Sequence, residues 1–273
     1  MSSNIPKCSY CNSNNIELRT EIKNKDRHFL VPELKNLERK WFNCKSCKIC
    51  FSIPRLTKKQ IKYMYANYRS ESFRGESPDQ YFDRITNYSP KKSENFNKSQ
   101  WIIKNINREL KPNNILDIGC GGGVLLYTLS QLFKSAALYG IEPTKTYADL
   151  ASRRINAVVE NGYFEKESFK NLTFDLITCC QVLEHIDDLD AFLINLKEVI
   201  HKNSYIYIEV PDITDFITLK HEHFIFSEPS HLWYFSSDFL IPFFNSDGFK
   251  ILSHEVIRTV RGRNDLRLLL MRS

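Results

Sequence analysis

The amino-acid sequence predicts an α/β protein in which a mostly parallel sheet carries helices on both faces. From residue 111 onward, short apolar runs alternate with amphipathic stretches of helical spacing. Such alternation is typical of a parallel sheet, because two parallel neighbours need a crossover between them, usually a helix. The last two strand-like runs follow each other without a helix, which predicts an antiparallel hairpin at one end of the sheet.

The expected elements follow from the positions of these runs. Strands are predicted at 115–118, 137–141, 174–180, 205–210, 249–257 and 266–271. Helices are predicted at 124–133, 146–155, 189–200 and 236–245, and before the sheet at 58–68 and 99–110. The polar, proline-containing stretch between the two early helices is interpreted as a long connector. We therefore expect a small cysteine-rich domain at 1–57, a helical connector or cap at 58–110 and the sheet domain at 111–273.

Composition and charge narrow the class of protein. The chain has 273 residues and a formal charge of +6, with 22 Lys and Arg against 11 Asp and Glu before residue 111. A basic N-terminal third is typical of nucleic-acid contact, although a solvated surface explains it equally simply. We find no signal peptide and no apolar run of membrane-spanning length, so a cytoplasmic protein without a membrane span is expected.

A glycine-rich loop follows the first strand of the predicted sheet. Glycines at 119 and 121–123 allow a tight turn and a close approach of the backbone to a ligand, and Glu142 ends the next strand. A carboxylate at that place accepts hydrogen bonds from the ribose of an adenosine. A dinucleotide loop would have a third glycine where Val124 stands, and Asp117 would repel a pyrophosphate but suit an ammonium group. The loop therefore favours S-adenosylmethionine over NAD.

Three motifs in order resemble the class I S-adenosylmethionine-dependent methyltransferases. They are the loop at 116–121, the acidic Gly-Ile-Glu-Pro at 140–143 and the fourth-strand motif at 174–185. The resemblance covers about half of the chain and implies a Rossmann-like sheet of seven strands. It also implies cofactor contacts, which would be made by Asp117, Gly119, Gly121, Glu142, Pro143, Gly162, Cys180 and Gln181.

Two cysteine pairs, Cys8 with Cys11 and Cys44 with Cys47, precede the sheet domain. Two Cys-x-x-Cys turns supply the four thiolates of a tetrahedral zinc site, so the segment resembles a zinc ribbon with a structural Zn²⁺. A redox role would need only one pair. Cys50 lies three residues after Cys47 and would replace one ligand in a different register.

Candidate catalytic residues come from the histidines on the carboxyl side of the predicted sheet. His185 follows the fourth strand, and His221, His223 and His231 follow the fifth. Histidine titrates in the range that a general base for methyl transfer needs. The run 228–236 resembles the substrate loop of methyltransferases that act on nucleotide-linked sugars. On that resemblance His231 is the first candidate base and His185 the second; the alternative is that each histidine only holds its loop together.

Three functions stay open at the level of sequence. The first is O-methylation of a small molecule, such as a nucleotide-linked sugar or another precursor of polysaccharide biosynthesis. The second is methylation of RNA, with the basic N-terminal region in contact with the nucleic acid. The third is a non-catalytic zinc-binding module on a methyltransferase-like fold, which the full set of Asp117, Gly119 and Glu142 disfavours. The oligomeric state is not predicted.

Overall fold

A computed structural model of the chain describes residues 6–23, 38–67, 75–213, 228 and 230–272. Two sheets organise these residues: a sheet of seven strands and a smaller one of four. The strands are β1 (Ile16–Lys23), β2 (Glu38–Cys44), β3 (Cys50–Ile53), β4 (Asn114–Ile118), β5 (Ala137–Ile141), β6 (Val158–Glu160), β7 (Phe174–Cys180), β8 (Ile200–Pro211), β9 (Trp233–Tyr234), β10 (Phe249–Arg258) and β11 (Asn264–Arg272).

The larger sheet confirms the predicted fold class. Its strand order is β10-β11-β8-β7-β4-β5-β6, with β4, β5, β6, β7 and β8 parallel. β11 runs antiparallel to both β8 and β10, as the hairpin prediction requires. Strand β6, next to the glycine-loop half of the sheet, was not predicted, because three residues give too short an apolar run to recognise.

Helices cover this sheet and precede it. They are α1 (Lys58–Asn67), α2 (Pro78–Thr86), α3 (Glu94–Asn105), α4 (Val124–Leu132), α5 (Lys145–Ile155), α6 (Leu189–Glu198) and α7 (Ser237–Ser246). The four helices predicted within the sheet domain are confirmed to within two residues at each end. None of the helices in the described ranges is both long and apolar enough to cross a membrane.

The prediction of a long connector between two early helices is wrong, because α2 lies inside it. Ser77 caps this helix: its hydroxyl accepts from the Gln80 amide (3.2 Å), and the Gln80 side chain accepts from the Ser77 amide (2.8 Å). Pro78, which suggested a break, stands in the first turn, where its missing N–H costs nothing. Helix α3 begins at Glu94 rather than 99, since Ser93 caps it.

The cysteine-bearing N-terminal segment shares a sheet with the C-terminal half of the chain. Its strands pair in the order β1-β2-β3-β9, and β9 comes from the segment that follows His231. The main hydrophobic core also takes residues from both parts, among them Phe51 and Phe235, which are fully buried. The predicted domain boundary at residue 57 therefore separates stretches that share one sheet and one core.

Arg39 on β2 joins the two parts through hydrogen bonds. Its side chain is completely buried, and its guanidinium donates to the Ser52 hydroxyl (2.6 Å) and to the carbonyls of Glu228 (3.2 Å) and His231. The Trp41 ring lies below the guanidinium, 4.9 Å from ring centre to Cζ. Five donors in a fixed plane allow one side chain to hold several backbone carbonyls at once.

We predict that Arg39→Met lowers the free energy of unfolding by about 3 kcal/mol or more, because it leaves buried acceptors without donors. Arg39→Lys should restore part of the loss. Lys40→Met, on the neighbouring exposed position of β2, is the matched control and should leave stability nearly unchanged. Urea denaturation of the three variants measures the difference, and equal stability of the two methionine variants would contradict this role of Arg39.

Candidate active site

A cavity of about 2240 Å³ lies at the carboxyl ends of the parallel strands β4, β5 and β7. This is where parallel α/β sheets bind their ligands, because the loops that follow the strands converge there. All ten residues predicted for the cofactor and for catalysis line this cavity: Asp117, Gly119, Gly121, Glu142, Pro143, Gly162, Cys180, Gln181, His185 and His231.

The glycine loop at 119–123 forms the floor of the cavity between β4 and α4. Gly119 and Gly121 have φ angles of 72° and 55°, in the left-handed region that favours glycine. A Cβ on Gly119 would lie 2.3 Å from a methyl of Val182, so the loop also packs too tightly there for any side chain. Gly119 and Gly121 both line the cavity, so their backbone is open to a ligand where β4 ends.

Glu142 stands at the end of β5, buried at 4% exposure. Its two carboxylate oxygens accept from the backbone amides of Gly121 (2.9 Å) and Thr144 (2.9 Å), so the side chain is fixed across the loop. Asn161 donates to the carbonyls of Glu142 (2.9 Å) and Pro143 (3.1 Å) and closes this corner. Gly162 follows, and a Cβ there would meet no atom within 4 Å, which leaves room beside the carboxylate.

Asp117 is the next-to-last residue of β4 and is almost completely buried. It accepts a hydrogen bond from the Thr178 hydroxyl (2.7 Å) on β7. Burial raises the pKa of Asp117 to about 7, against the lowering effects of Thr178 and Lys98. Lys98 itself is paired with the buried Glu209. A cation that enters the cavity would therefore stabilise the ionised form of Asp117.

Cys180 and Gln181 end β7 at the centre of the cavity. Burial raises the pKa of the Cys180 thiol well above its usual value, so this sulfur stays protonated and is no nucleophile. Gln181 has a φ of 56°, a strained angle for a residue other than glycine, and its buried amide nitrogen has no hydrogen-bond partner in the described part of the chain. Such strain and such orphaned groups concentrate at binding sites.

Glu184, His185 and His231 form a cluster beside Gln181, with one ligand-type atom from each within 4.8 Å of the others. His185 Nδ1 donates to the Ser230 carbonyl (3.0 Å), and the two imidazole rings lie 4.7 Å apart. Burial, with His185, Arg263 and Arg39 adding to it, lowers the pKa of His231 well below its usual range. The His231 imidazole therefore stays neutral, and it can accept a proton only from a group that is held close to it.

Glu184 was missed by the sequence analysis, although it stands inside the quoted fourth-strand motif. Its side chain is fully buried, and neither carboxylate oxygen has a hydrogen-bond partner among the other described residues. Burial raises its pKa to about 8. The signal that could have found it is a carboxylate directly before His185 at the end of a buried strand. His221 and His223 lie outside the described residues.

The four cysteines of the two pairs converge at the base of the small sheet. Cys8 and Cys47 Sγ lie 3.7 Å apart, and Cys11 and Cys44 Sγ lie 3.6 Å apart. A tetrahedral zinc ion with ~2.3 Å Zn–S bonds places its sulfurs ~3.8 Å apart. The two turns also match each other: the Cys11 and Cys47 amides each donate to the first sulfur of their own pair, at 3.5 Å.

Cys50 takes no part in this cluster. It is buried in a separate apolar group with Ile22, Trp41, Ile213 and Tyr234. The alternative register in which Cys50 replaces a ligand is therefore wrong, because its neighbours are hydrocarbon and aromatic side chains rather than sulfurs. Cys179 is completely buried in the main core.

The sheet order, the glycine turn and the acidic residue at the end of β5 define an S-adenosylmethionine-dependent methyltransferase. The cavity fits that cofactor, since an open glycine backbone, a buried carboxyl group and a fixed Glu142 meet in one place. A family described as "Methyltransferase domain" matches residues 57–254. The chain belongs to this family.

Several curated relatives are O-methyltransferases by name. The "Ubiquinone biosynthesis O-methyltransferase" of Rickettsia akari is 34% identical over 113 residues, which are 38% of this chain and 44% of that protein. The protein of the same name from Pelagibacter ubique is 29% identical over 140 residues, 48% of this chain and 57% of that protein. In both cases the match spans about half of the relative's length.

Solved structures share the fold at low sequence identity. The plantazolicin methyltransferase BpumL, solved with a desmethyl-plantazolicin analogue and S-adenosylhomocysteine, has a TM-score of 0.55 and 16% identity, over 79% of this chain and 98% of that chain. A complex of the Haloferax volcanii Trm112 methyltransferase activator and a putative methyltransferase gives a TM-score of 0.57 and 12% identity, over 71% and 95%. These likenesses concern the fold alone.

We predict that the affinity for S-adenosylhomocysteine rises with pH up to about 7 and then levels off. Asp117 must be ionised to pair with the ammonium of the ligand, and its pKa of about 7 in the free protein means that the proton is lost on binding below that pH. Titration calorimetry at pH 5.5 and 7.5 should show an affinity at least tenfold lower at pH 5.5. Asp117→Asn should bind more weakly at both values and lose the difference; an unchanged pH profile in this variant would exclude Asp117 as its source.

Proposed function

We propose that the protein transfers the methyl group of S-adenosylmethionine to a hydroxyl oxygen of a small molecule. The observation that carries this proposal is the cluster of Glu184, His185 and His231, which lies in the cofactor cavity next to Gln181. A hydroxyl needs a proton acceptor as it attacks, and an imidazole beside the reacting centre supplies one. The names of the curated relatives also favour an oxygen acceptor.

We assign each cavity residue a role from its position in the cavity wall. Asp117 pairs with the ammonium of the cofactor, and Gly119 and Gly121 offer backbone to it. Glu142 binds the ribose hydroxyls with its remaining lone pairs, and the adenine lies along Pro143 and Gly162. Cys180 and Gln181 face the methionine portion; the unpaired Gln181 amide is a ready donor to it.

The chemistry needs few further groups because the bound cofactor supplies an already activated methyl group. His231 Nε2 accepts the proton of the acceptor hydroxyl, with Nδ1 held by the Tyr234 hydroxyl at 2.9 Å. The bound cofactor would supply the methyl carbon, which would bond to the acceptor oxygen as its bond to sulfur breaks and leaves a neutral thioether. His185 is the second candidate for the same proton. The protein mainly aligns the oxygen with the methyl group.

A nucleotide-linked sugar is the acceptor class that we propose first. Lys58, Lys62 and Lys92 line the cavity, are exposed, and have no carboxylate partner in the described ranges. Cations at the mouth of a cavity attract phosphate groups. A phenolic acceptor is the second candidate, favoured by the names of the curated relatives and by Tyr65, Tyr81 and Tyr163 in the cavity wall.

Incubation with methyl-labelled cofactor and separate sets of nucleotide-sugars, phenols and RNA tests the proposal. We expect label in a small molecule, and label in RNA alone would overturn it. His231→Gln should reduce kcat by a factor of 10² to 10⁴, the usual contribution of a general base, with little change in affinity for S-adenosylhomocysteine. His201→Gln, outside the cavity, is the matched control; an unchanged kcat in His231→Gln would remove His231 from the reaction.

We also propose that the four-cysteine cluster binds one structural Zn²⁺. Cys8, Cys11, Cys44 and Cys47 form a closed set of four sulfurs, which leaves no open position for a substrate. The ion would fix the turns at the base of β2 and β3, the strands that carry Arg39 and Ser52. A zinc ion here would stabilise the fold rather than take part in the reaction.

Metal analysis of the purified chain should find one zinc ion per molecule at the cysteine cluster. Cys11→Ser should lose it and lower the melting temperature, because three thiolates bind zinc far more weakly than four. Cys50→Ser should keep it, since Cys50 lies in a separate apolar group. Loss of zinc from Cys50→Ser with retention in Cys11→Ser would contradict the assignment.

A further inference from the structure

We propose that Glu184, His185 and His231 form a second metal site, which binds a divalent first-row transition ion beside the cofactor. The inference rests on methyl transfer at this site, as proposed above, but assigns the two imidazoles to a metal ion instead of the proton of the acceptor. Two imidazoles and one carboxylate on one side of an ion, with the opposite side open, are a ligand set that suits such ions. The open side here faces the cavity, because all three residues line it.

The buried carboxylate is the first reason to expect an ion. Glu184 is completely inaccessible to solvent, and its two oxygens have no hydrogen-bond partner among the other described residues. A charged group in such a place costs several kcal/mol unless a positive charge compensates it. His185 Nε2 lies 3.9 Å from Glu184 Oε1, which is too long for a hydrogen bond.

The orientation of the two imidazoles is the second reason. His185 Nδ1 is held by the Ser230 carbonyl at 3.0 Å, and His231 Nδ1 is held by the Tyr234 hydroxyl at 2.9 Å. Histidine ligands to metals usually have one ring nitrogen fixed in this way, which turns the other nitrogen toward the ion. Nε2 is then the ligand atom of each ring.

The geometry requires only a small adjustment. The ligand atoms lie within 4.8 Å of one another, whereas an octahedral ion with ~2.1 Å bonds brings them ~3 Å apart. Binding would therefore require the three side chains to move toward the ion by rotation about their χ angles. His231 and Glu184 are also joined by backbone, because the Leu232 amide donates to the Glu184 carbonyl at 2.8 Å.

An ion at this place would change the role of the two imidazoles. Their Nε2 lone pairs would hold the cation, and the acceptor hydroxyl, placed next to the positive charge, would lose its proton to water. The oxygen–carbon bond then forms and the carbon–sulfur bond breaks as before. The open positions also select acceptors with two neighbouring oxygens, such as a sugar diol or a catechol, which bind the ion through both.

Titration of the zinc-loaded full chain with Mn²⁺ tests the site, since Mn²⁺ prefers nitrogen and oxygen ligands to thiolates. Calorimetry and the loss of the free Mn²⁺ resonance signal should both show one ion bound per chain. Glu184→Gln should weaken Mn²⁺ binding at least tenfold and leave the affinity for S-adenosylhomocysteine unchanged. Glu165→Gln, an exposed carboxylate of the same cavity, is the matched control and should bind Mn²⁺ as the parent protein does.

Two results would overturn the site: no Mn²⁺ bound to protein that binds S-adenosylhomocysteine, or equal Mn²⁺ affinity in the parent and in Glu184→Gln. His185→Gln, at an 18% exposed side chain, gives the same comparison should Glu184→Gln fail to fold. The outcome is independent of the acceptor, because a protein that methylates no small molecule but binds Mn²⁺ through Glu184 would refute the proposed function and retain the metal site.

Discussion

The hydrogen bonds of the buried Arg39 guanidinium hold the active-site loop in place. The residues described directly before β9, 228 and 230–232, lie in neither a helix nor a strand, so their carbonyls need donors from elsewhere. Arg39 supplies them from β2, and β9 then pairs with β3 through Phe51 and Trp233. On its other side the loop is bound to the turn at Leu183–His185. The cysteine-bearing sheet is thus part of the active site's support.

The cofactor half of the site depends on close packing instead. Gly119 leaves no space for a Cβ because Val182 fills it, so the turn after β4 and the turn after β7 fix each other. The strained φ of Gln181 belongs to the same contact, since this residue directly precedes Val182. Strain of this kind costs about 1–3 kcal/mol and persists where neighbouring contacts enforce it. The two turns place Asp117 and Gln181 in the wall of the same cavity.

The sequence was informative where a residue's role follows from local spacing. The glycine turn, Glu142 and the cysteine pairs each depend on short-range geometry, and the structure brings their members together. Arg39, Lys98 and Glu209 were not predicted, because a buried charge is recognised only when its distant partner is known. β9 was missed for the same reason: two aromatic residues form a strand only beside β3. The connector was predicted wrongly at Pro78 because a proline breaks a helix in its interior but is tolerated in its first turn.

The buried carboxyl group of Glu184 lowers the free energy of unfolding, so its presence needs a functional reason. The buried carboxyl group has a pKa of about 8, so near neutral pH it is largely protonated in the folded chain but ionised when unfolded. The raised folded pKa means that its destabilising effect grows as pH rises above the unfolded value. A fold that needed only packing at this point would be more stable with an apolar side chain of the same size. The geometric observations that support the metal site proposed above are that this carboxyl group has no hydrogen-bond partner among the other described residues, stands beside two imidazoles and lines the cavity.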